Sequence, residues 1–179
     1  MENAYLAHAI NFTTLGLFGL IAGFFYAFSV CVMPGLNRID PTAAITAMQA
    51  INEAVRNPVF FVTFFLTPVC AIAAAIVAYN AGDLRPALIM VSAAAVYFAL
   101  ALILTASINV PMNEALATVD PNAADAAQIW ADYTGRWTFW NTVRTITSLL
   151  AMLVFAFAMT QMDRSTLPTA DVSAVSANR

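Results

Sequence analysis

Four long apolar stretches punctuate the chain, at about residues 9–33, 59–79, 87–110 and 137–160. At ~1.5 Å of helical rise per residue, each is long enough to cross a hydrocarbon layer ~30 Å thick. Arg144 is the one charged residue inside any of them. Between the first and second stretches the pattern changes. Pro34-Gly35 ends the first run, and Asp40-Pro41 reads as an N-cap followed by proline at the first helical position. The segment PTAAITAMQAINEAVRN then places Ile45, Met48, Ile51 or Asn52, and Val55 on one side, which predicts a short amphipathic helix closed by Asn57-Pro58. A short loop, 80–86, joins the second and third runs. A longer polar linker, 111–136, joins the third and fourth, with Asp120-Pro121 opening another helix. Connections one and three fall on the same side. The pattern therefore predicts an all-α integral membrane protein, an antiparallel four-helix bundle with two short helical caps on one membrane side, formed by residues 34–58 and 111–136. Residues 1–162 are expected to form a single domain, and 163–179 a polar, disordered tail.

Two prolines and three glycines refine this picture. Pro68 sits in the middle of the second run, where it frees a backbone carbonyl that Thr63 or Thr67 is expected to satisfy. Gly16, Gly19 and Gly23 lie near one face of the first run, and the Gly19/Gly23 spacing predicts close helix packing in lipid.

Composition strengthens the membrane reading. Of 179 residues, 61% are hydrophobic and only 9% charged, against about 25% charged in ordinary soluble domains. So few charges cannot cover so apolar a chain in water; lipid is the solvent that suits it. Net charge is −3 and there is no lysine, so the basic patch that nucleic-acid binding requires is absent. Arg38, Arg56 and Arg136 on the cap side balance Arg85, Arg164 and Arg179 on the other, and the positive-inside rule assigns no orientation. The first apolar run lacks a basic leader and is too long for a signal core, so a retained span is expected. Compact loops favour a bacterial inner membrane. Cys31 and Cys70 read as small buried hydrophobes.

Candidate chemistry concentrates in WADYTGRWTFWNTVR, residues 130–144. On a helix, Trp130, Tyr133, Trp137, Trp140 or Asn141, Arg144 and Ser148 share one face. Asn52, Asn57, Asn109, Asn113 and Asn141 fall in the caps or at the adjoining ends of the runs, and Asn109 and Asn113 are four apart. Burying arginine or asparagine at membrane depth is costly unless each finds a partner. Two consequences are open: the groups bond one another and lock the bundle to its caps, or they line a pocket for an oxygen-bearing lipophile with Tyr133, Trp137 and Trp140 as walls. His8 is the only histidine, which excludes multi-histidine metal sites; it reads as an interfacial residue. No metal site is expected.

FFYAFSVCVMPGL, AMQAINEAVRNPVF, NVPMNEAL and W-x-x-Y-x-x-x-W-x-x-WNTVRT, in this order, resemble the anthrone oxygenase family of small four-helix membrane proteins. The resemblance spans about residues 14–158. It implies a membrane oxygenase of the kind known from fungal polyketide pathways, oxidising an anthrone to an anthraquinone with dioxygen. Members commonly carry histidine after the Trp-Asn pair, where this chain has Thr142. With no haem, flavin or metal signature, a cofactor-free route is the economical expectation. Arg144, Asn141 and Asn109 are then the expected oxyanion stabilisers, Glu53 or His8 the base, and Trp137, Trp140, Tyr133, Asn113, Asn52 and Asn57 the substrate contacts. The alternative is a non-enzymatic membrane protein that binds a lipophile or serves as a structural subunit.

Overall fold

A computed structural model of the chain describes residues 2–165. Its elements are α1 (Glu2–Ala27), α2 (Met33–Leu36), α3 (Pro41–Ala54), α4 (Pro58–Asn80), α5 (Leu84–Tyr97), α6 (Val110–Ala117) and α7 (Ala126–Ser165). A π-helical turn, Phe28–Val32, fuses α1 to α2, and two more, Phe98–Ile103 and Thr105–Asn109, fuse α5 to α6. Four helical rods result, Tyr5–Leu36, Pro58–Asn80, Leu84–Ala117 and Ala126–Met162, each long and apolar enough to cross a membrane. This is a multi-pass membrane protein. Each rod packs on the next, and the fourth closes back on the first. Outward faces carry large apolar residues such as Leu20, Val59, Ile76, Leu88 and Leu153, which lipid rather than water would cover.

The rods end where local chemistry requires. Asp40 accepts the Thr42 N–H at 2.9 Å, with Pro41 at the first helical position. Asn57 caps α4 by accepting the Phe60 N–H at 3.0 Å, while its own amide reaches back to Ala54 O at 2.8 Å. Gly82, at φ +91°, turns the chain between α4 and α5 in the left-handed region that suits glycine. α3 buries Ala44, Ile45, Met48 and Asn52 against α6 and the start of α7. Gln49 ties it there by donating to Leu116 O and Val119 O at 2.9 Å each. The second cap consists of the projecting ends of the third and fourth rods. The third rod continues as helix through Pro111 to Ala117, and α7 begins at Ala126, five residues beyond Pro121. α7 also runs to Ser165, so the tail expected from residue 163 starts within that helix; its remainder lies outside the described residues.

Three expectations about packing need correction. The carbonyl released by Pro68 is that of Phe64, four residues back, and it is Tyr97 of α5 that donates to it, at 3.0 Å. Thr63 and Thr67 instead donate to Val59 O and Thr63 O within their own helix. Gly16 and Gly23 face no neighbour, and Gly19 meets only the Met152 side chain, 3.6 Å from where its Cβ would lie. Alanines make the close approach: Ala71, Ala74, Ala75 and Ala78 of α4 are buried together with Ala87, Ala93 and Ala94 of α5, because small side chains let two backbones near each other in lipid. Cys31 is exposed and Cys70 half-buried; on a rod surrounded by lipid, an apolar thiol needs no protein core.

Two of the π-helical turns end just before prolines. Ahead of Pro34, the Met33 N–H reaches five residues back to Phe28 O. Ahead of Pro111, the Val110 N–H reaches Thr105 O. A proline cannot donate to its i−4 carbonyl and crowds it, and widening the preceding turn relieves that crowding. Such turns are frequent at functional sites, and these two border the polar cluster described next.

Candidate functional site: a buried arginine at a phenylalanine-lined cavity

Trp130, Tyr133, Trp137, Asn141, Arg144 and Ser148 are all buried along one face of α7. The face therefore takes Asn141 rather than Trp140, which is half-buried and packs edge-on against Phe139.

Arg144 is 4% exposed and lies at membrane depth. Its guanidinium sits over the Phe25 ring, 4.3 Å from the centroid, and 5.5 Å from that of Trp137. Nη2 donates to Asn141 Oδ1 at 2.8 Å and Nη1 to Thr105 Oγ1 at 3.0 Å. Nε makes no hydrogen bond. Among the described residues, the one ion pair is Arg56–Glu114, so Arg144 has no counter-charge. An arginine near the bilayer centre costs about 2.5–3.5 kcal/mol on insertion scales. Two neutral acceptors and two ring faces offset part of that cost, yet the charge itself stays unmatched.

Asn141 holds this arrangement. It is fully buried, and its Nδ2 donates to Phe25 O at 2.7 Å and Ser29 Oγ at 2.8 Å. Ser29 lies in the π-helical turn before Pro34, and Phe25 lies just ahead of it at the end of α1. Thr105 and Asn109 lie on the corresponding turn of the third rod. Asn109, 1% exposed, donates through Nδ2 to Trp137 O at 3.4 Å, and its Oδ1 has no partner. One helical turn further, Asn113 Oδ1 accepts from Trp137 Nε1 at 2.7 Å and Tyr133 Oη at 3.0 Å. Asn52 of α3 lies beside Tyr133, and its buried Nδ2 makes no hydrogen bond.

These side chains surround a cavity of about 410 Å³, within the ~300–1,000 Å³ typical of small-molecule sites. Arg144, Thr105, Asn109, Asn113, Asn52 and Trp137, together with Arg56 and Glu114, supply its polar wall. Phe24, Phe25 and Phe28 of the first rod and Phe60, Phe61, Phe64 and Phe65 of α4 supply most of the apolar wall. Around this space, Arg144 Nε and Asn52 Nδ2 are unmet donors and Asn109 Oδ1 an unmet acceptor. Orphaned buried polar atoms are uncommon in folded proteins, because each costs about 1–3 kcal/mol.

Two openings adjoin the cavity. A groove between α1, α3 and α4 shares Phe24, Phe28, Ile51, Val55 and Phe60 with it; Phe24 and Phe60, with ring centroids 4.9 Å apart, lie on the shared boundary. The groove also takes in Leu20 and Val59, 64% and 77% exposed, so it faces lipid. On the cap side, a polar cleft lined by Thr46, Gln49, Glu53 and others shares Asn52, Arg56 and Asn113 with the cavity.

The structure thus brings Arg144, Asn109, Asn113, Asn52 and Trp137 to one cavity, with Asn141 directly behind Arg144 and Tyr133 behind Asn113. It does not bring the others. Asn57 caps α4 and borders the groove, Trp140 lies off the cavity, and Glu53 is exposed in the polar cleft. His8 lies at the N-terminal end of the first rod, beside Asn11 and Met159. Thr142 shares a 2.9 Å hydrogen bond with Ser29 and donates to Thr138 O, so this position faces the π-helical turn of the first rod and not the cavity. Among the described residues no three of His, Cys, Asp and Glu come together. Sequence reasoning passed over Glu114, Arg56 and Thr105, all of which line the cavity. Glu114 was within reach, since it follows Asn113 in NVPMNEAL. The phenylalanine wall was hidden, because apolar residues in a membrane helix give no sign of which neighbour they meet.

A family model described as "Anthrone oxygenase" matches residues 59–154, just over half of the chain, from the start of α4 to the middle of α7. No match was found among the curated proteins or the solved structures.

Proposed function

The chain belongs to the anthrone oxygenase family, and from that membership together with the cavity beside Arg144 we propose that it oxidises a lipophilic, phenolic anthrone with dioxygen inside a membrane, which we take to be a bacterial inner membrane. An anthrone carries a carbonyl and, across the same central ring, an acidic methylene. Loss of one methylene proton leaves an anion whose charge is delocalised onto the carbonyl oxygen. The observation that carries the reading is Arg144, a buried cation with an unused Nε–H and, among the described residues, no counter-charge, at an aromatic cavity. A preorganised donor of this kind stabilises an oxyanion more than it stabilises the neutral ketone. Asn109 Oδ1 suits the hydroxyl of a neighbouring phenol, and the phenylalanines suit the flat rings. The electron-rich ring then passes an electron to dioxygen, and the two radicals join at the former methylene carbon as a peroxide. Departure of water leaves a second carbonyl. In sum, anthrone and O₂ give anthraquinone and H₂O.

Oxygen uptake with emodin anthrone tests the reading, using purified protein in detergent, wild type beside Arg144→Ala, with spontaneous oxidation subtracted. The expected result is a wild-type rate above background that falls at least about 100-fold in the variant, the usual size of an oxyanion-donor loss, while the variant keeps its helical signal. No wild-type rate above background, or full activity in the variant, overturns the mechanism.

A further inference from the structure

We propose that Glu114 is the base that takes the methylene proton, an assignment that rests on the oxygenase reading above. Among the described residues, Glu114 is the one carboxylate lining the cavity. It is hydrogen-bonded to Arg56, which lines both the cavity and the polar cleft. The carboxylate, half exposed, is therefore held where the apolar chamber opens, and its partner Arg56 reaches the polar cleft, with which the chamber also shares Asn52 and Asn113. That is where a proton drawn from a buried carbon can be handed on to water. The two expected bases are placed less well: Glu53 opens only onto the cleft, and His8 borders a separate pocket with Asn11 and Met159.

The third rod sets the spacing. Thr105, which holds Arg144, and Glu114 are nine residues apart, or about 13 Å along a helix axis. Arg144 and Glu114 line the same cavity, and the proposed substrate lies between them with the carbonyl oxygen toward Arg144 and the methylene toward Glu114. Asn113, its oxygen held by Trp137 and Tyr133, steadies the turn that carries Glu114. A carboxylate need not be a strong base where the resulting oxyanion is well stabilised. The protons balance over one turnover. Glu114 takes the first methylene proton, and the ring carbanion gives up one electron to O₂ before the radicals combine. Glu114 returns that proton to the peroxide. It then takes the remaining hydrogen from the same carbon as the O–O bond breaks, the C–H electron pair becoming the new C=O bond. Hydroxide leaves and is protonated to water.

Anaerobic isotope exchange isolates the first step. Full-length protein in detergent is incubated under argon with emodin anthrone in D₂O, and NMR follows deuterium entering the methylene, with buffer exchange subtracted. Ligand affinity comes from tryptophan fluorescence, and oxygen uptake is measured in parallel. Wild type is expected to accelerate exchange, and Glu114→Gln to lose at least about 100-fold of that acceleration with affinity within twofold. Glu114→Asp, which keeps the charge paired with Arg56, is expected to lose only part, and it carries the test if Glu114→Gln does not fold. Undiminished exchange in Glu114→Gln, or in Glu114→Asp where it is the variant tested, overturns the assignment and leaves the Arg144 reading standing. So does a wild-type protein that consumes oxygen without exchanging the methylene. A wild type that neither exchanges nor consumes oxygen removes the oxygenase reading, and the base with it.

Discussion

Replacing Asn141 by alanine should destabilise the protein by roughly 3 kcal/mol or more. The side chain joins three groups at once: Phe25 O, Ser29 Oγ and the Arg144 guanidinium, at 2.7, 2.8 and 2.8 Å. Interhelical hydrogen bonds in membrane proteins average about 0.6 kcal/mol and reach about 1.7. The bond from Arg144 is charge-assisted and worth about 1.5–3 kcal/mol. Together the three bonds come to about 3–6 kcal/mol, and alanine offers no substitute to any of the groups left behind. The assay is unfolding in mixed micelles by titration with a denaturing detergent, followed by circular dichroism. Thr142→Ala is the matched control: it loses a hydroxyl shared with Ser29 and Thr138 O and leaves Arg144 untouched, so it should cost under about 1 kcal/mol. A loss below about 1 kcal/mol for Asn141→Ala, or equal losses for the two variants, would refute the claim that Asn141 organises the cluster.

Three further outcomes follow from particular contacts. Tyr97→Phe should cost about 1–2 kcal/mol by leaving Phe64 O unpaired, and nearly nothing in a Pro68→Ala background, where residue 68 regains an N–H for that carbonyl; equal costs in both backgrounds on the same unfolding assay would refute the pairing. Asn141→Asp supplies Arg144 with a resident anion, so oxygen uptake should fall at least tenfold even where the protein folds, because the guanidinium no longer has an unmatched charge for an oxyanion; retained uptake would refute that. Gly82→Ala should cost about 1 kcal/mol, since φ +91° strains any residue with a Cβ, and an unchanged thermal midpoint would show the turn relaxing freely.

Much of the fold could be read from the chain because membrane spans declare themselves by length and lack of charge. Asp40-Pro41 marked a real cap for the same local reason that it was noticed, while Asn57-Pro58, read as the close of one helix, also caps the next. The stripe on α7 was readable as far as period alone allows, and only packing chose Asn141 over Trp140. The partner of the Pro68 carbonyl was not readable. Tyr97 is 33 residues away from Phe64, and nothing local distinguishes that tyrosine from one facing lipid. The glycines misled for a related reason: in a chain this rich in alanine, small residues recur on several faces, and the sequence does not say which face meets a neighbour. The site was half legible. Arginine and asparagine stand out in an apolar helix, whereas Glu114 lies in a segment that reads as a polar linker. Its place at the cavity follows from the third rod continuing as helix past Pro111.

On the oxygenase reading proposed above, the groove beside the cavity also determines how the protein is supplied with substrate. A lipophile reaching Arg144 past Phe24 and Phe60 arrives from the hydrocarbon phase, where it is dissolved at far higher local concentration than in the surrounding water. Turnover should then follow the mole ratio of substrate to lipid rather than the bulk concentration. Adding empty vesicles at constant total substrate should slow the reaction by dilution in two dimensions, and half-saturation has meaning only as a surface density.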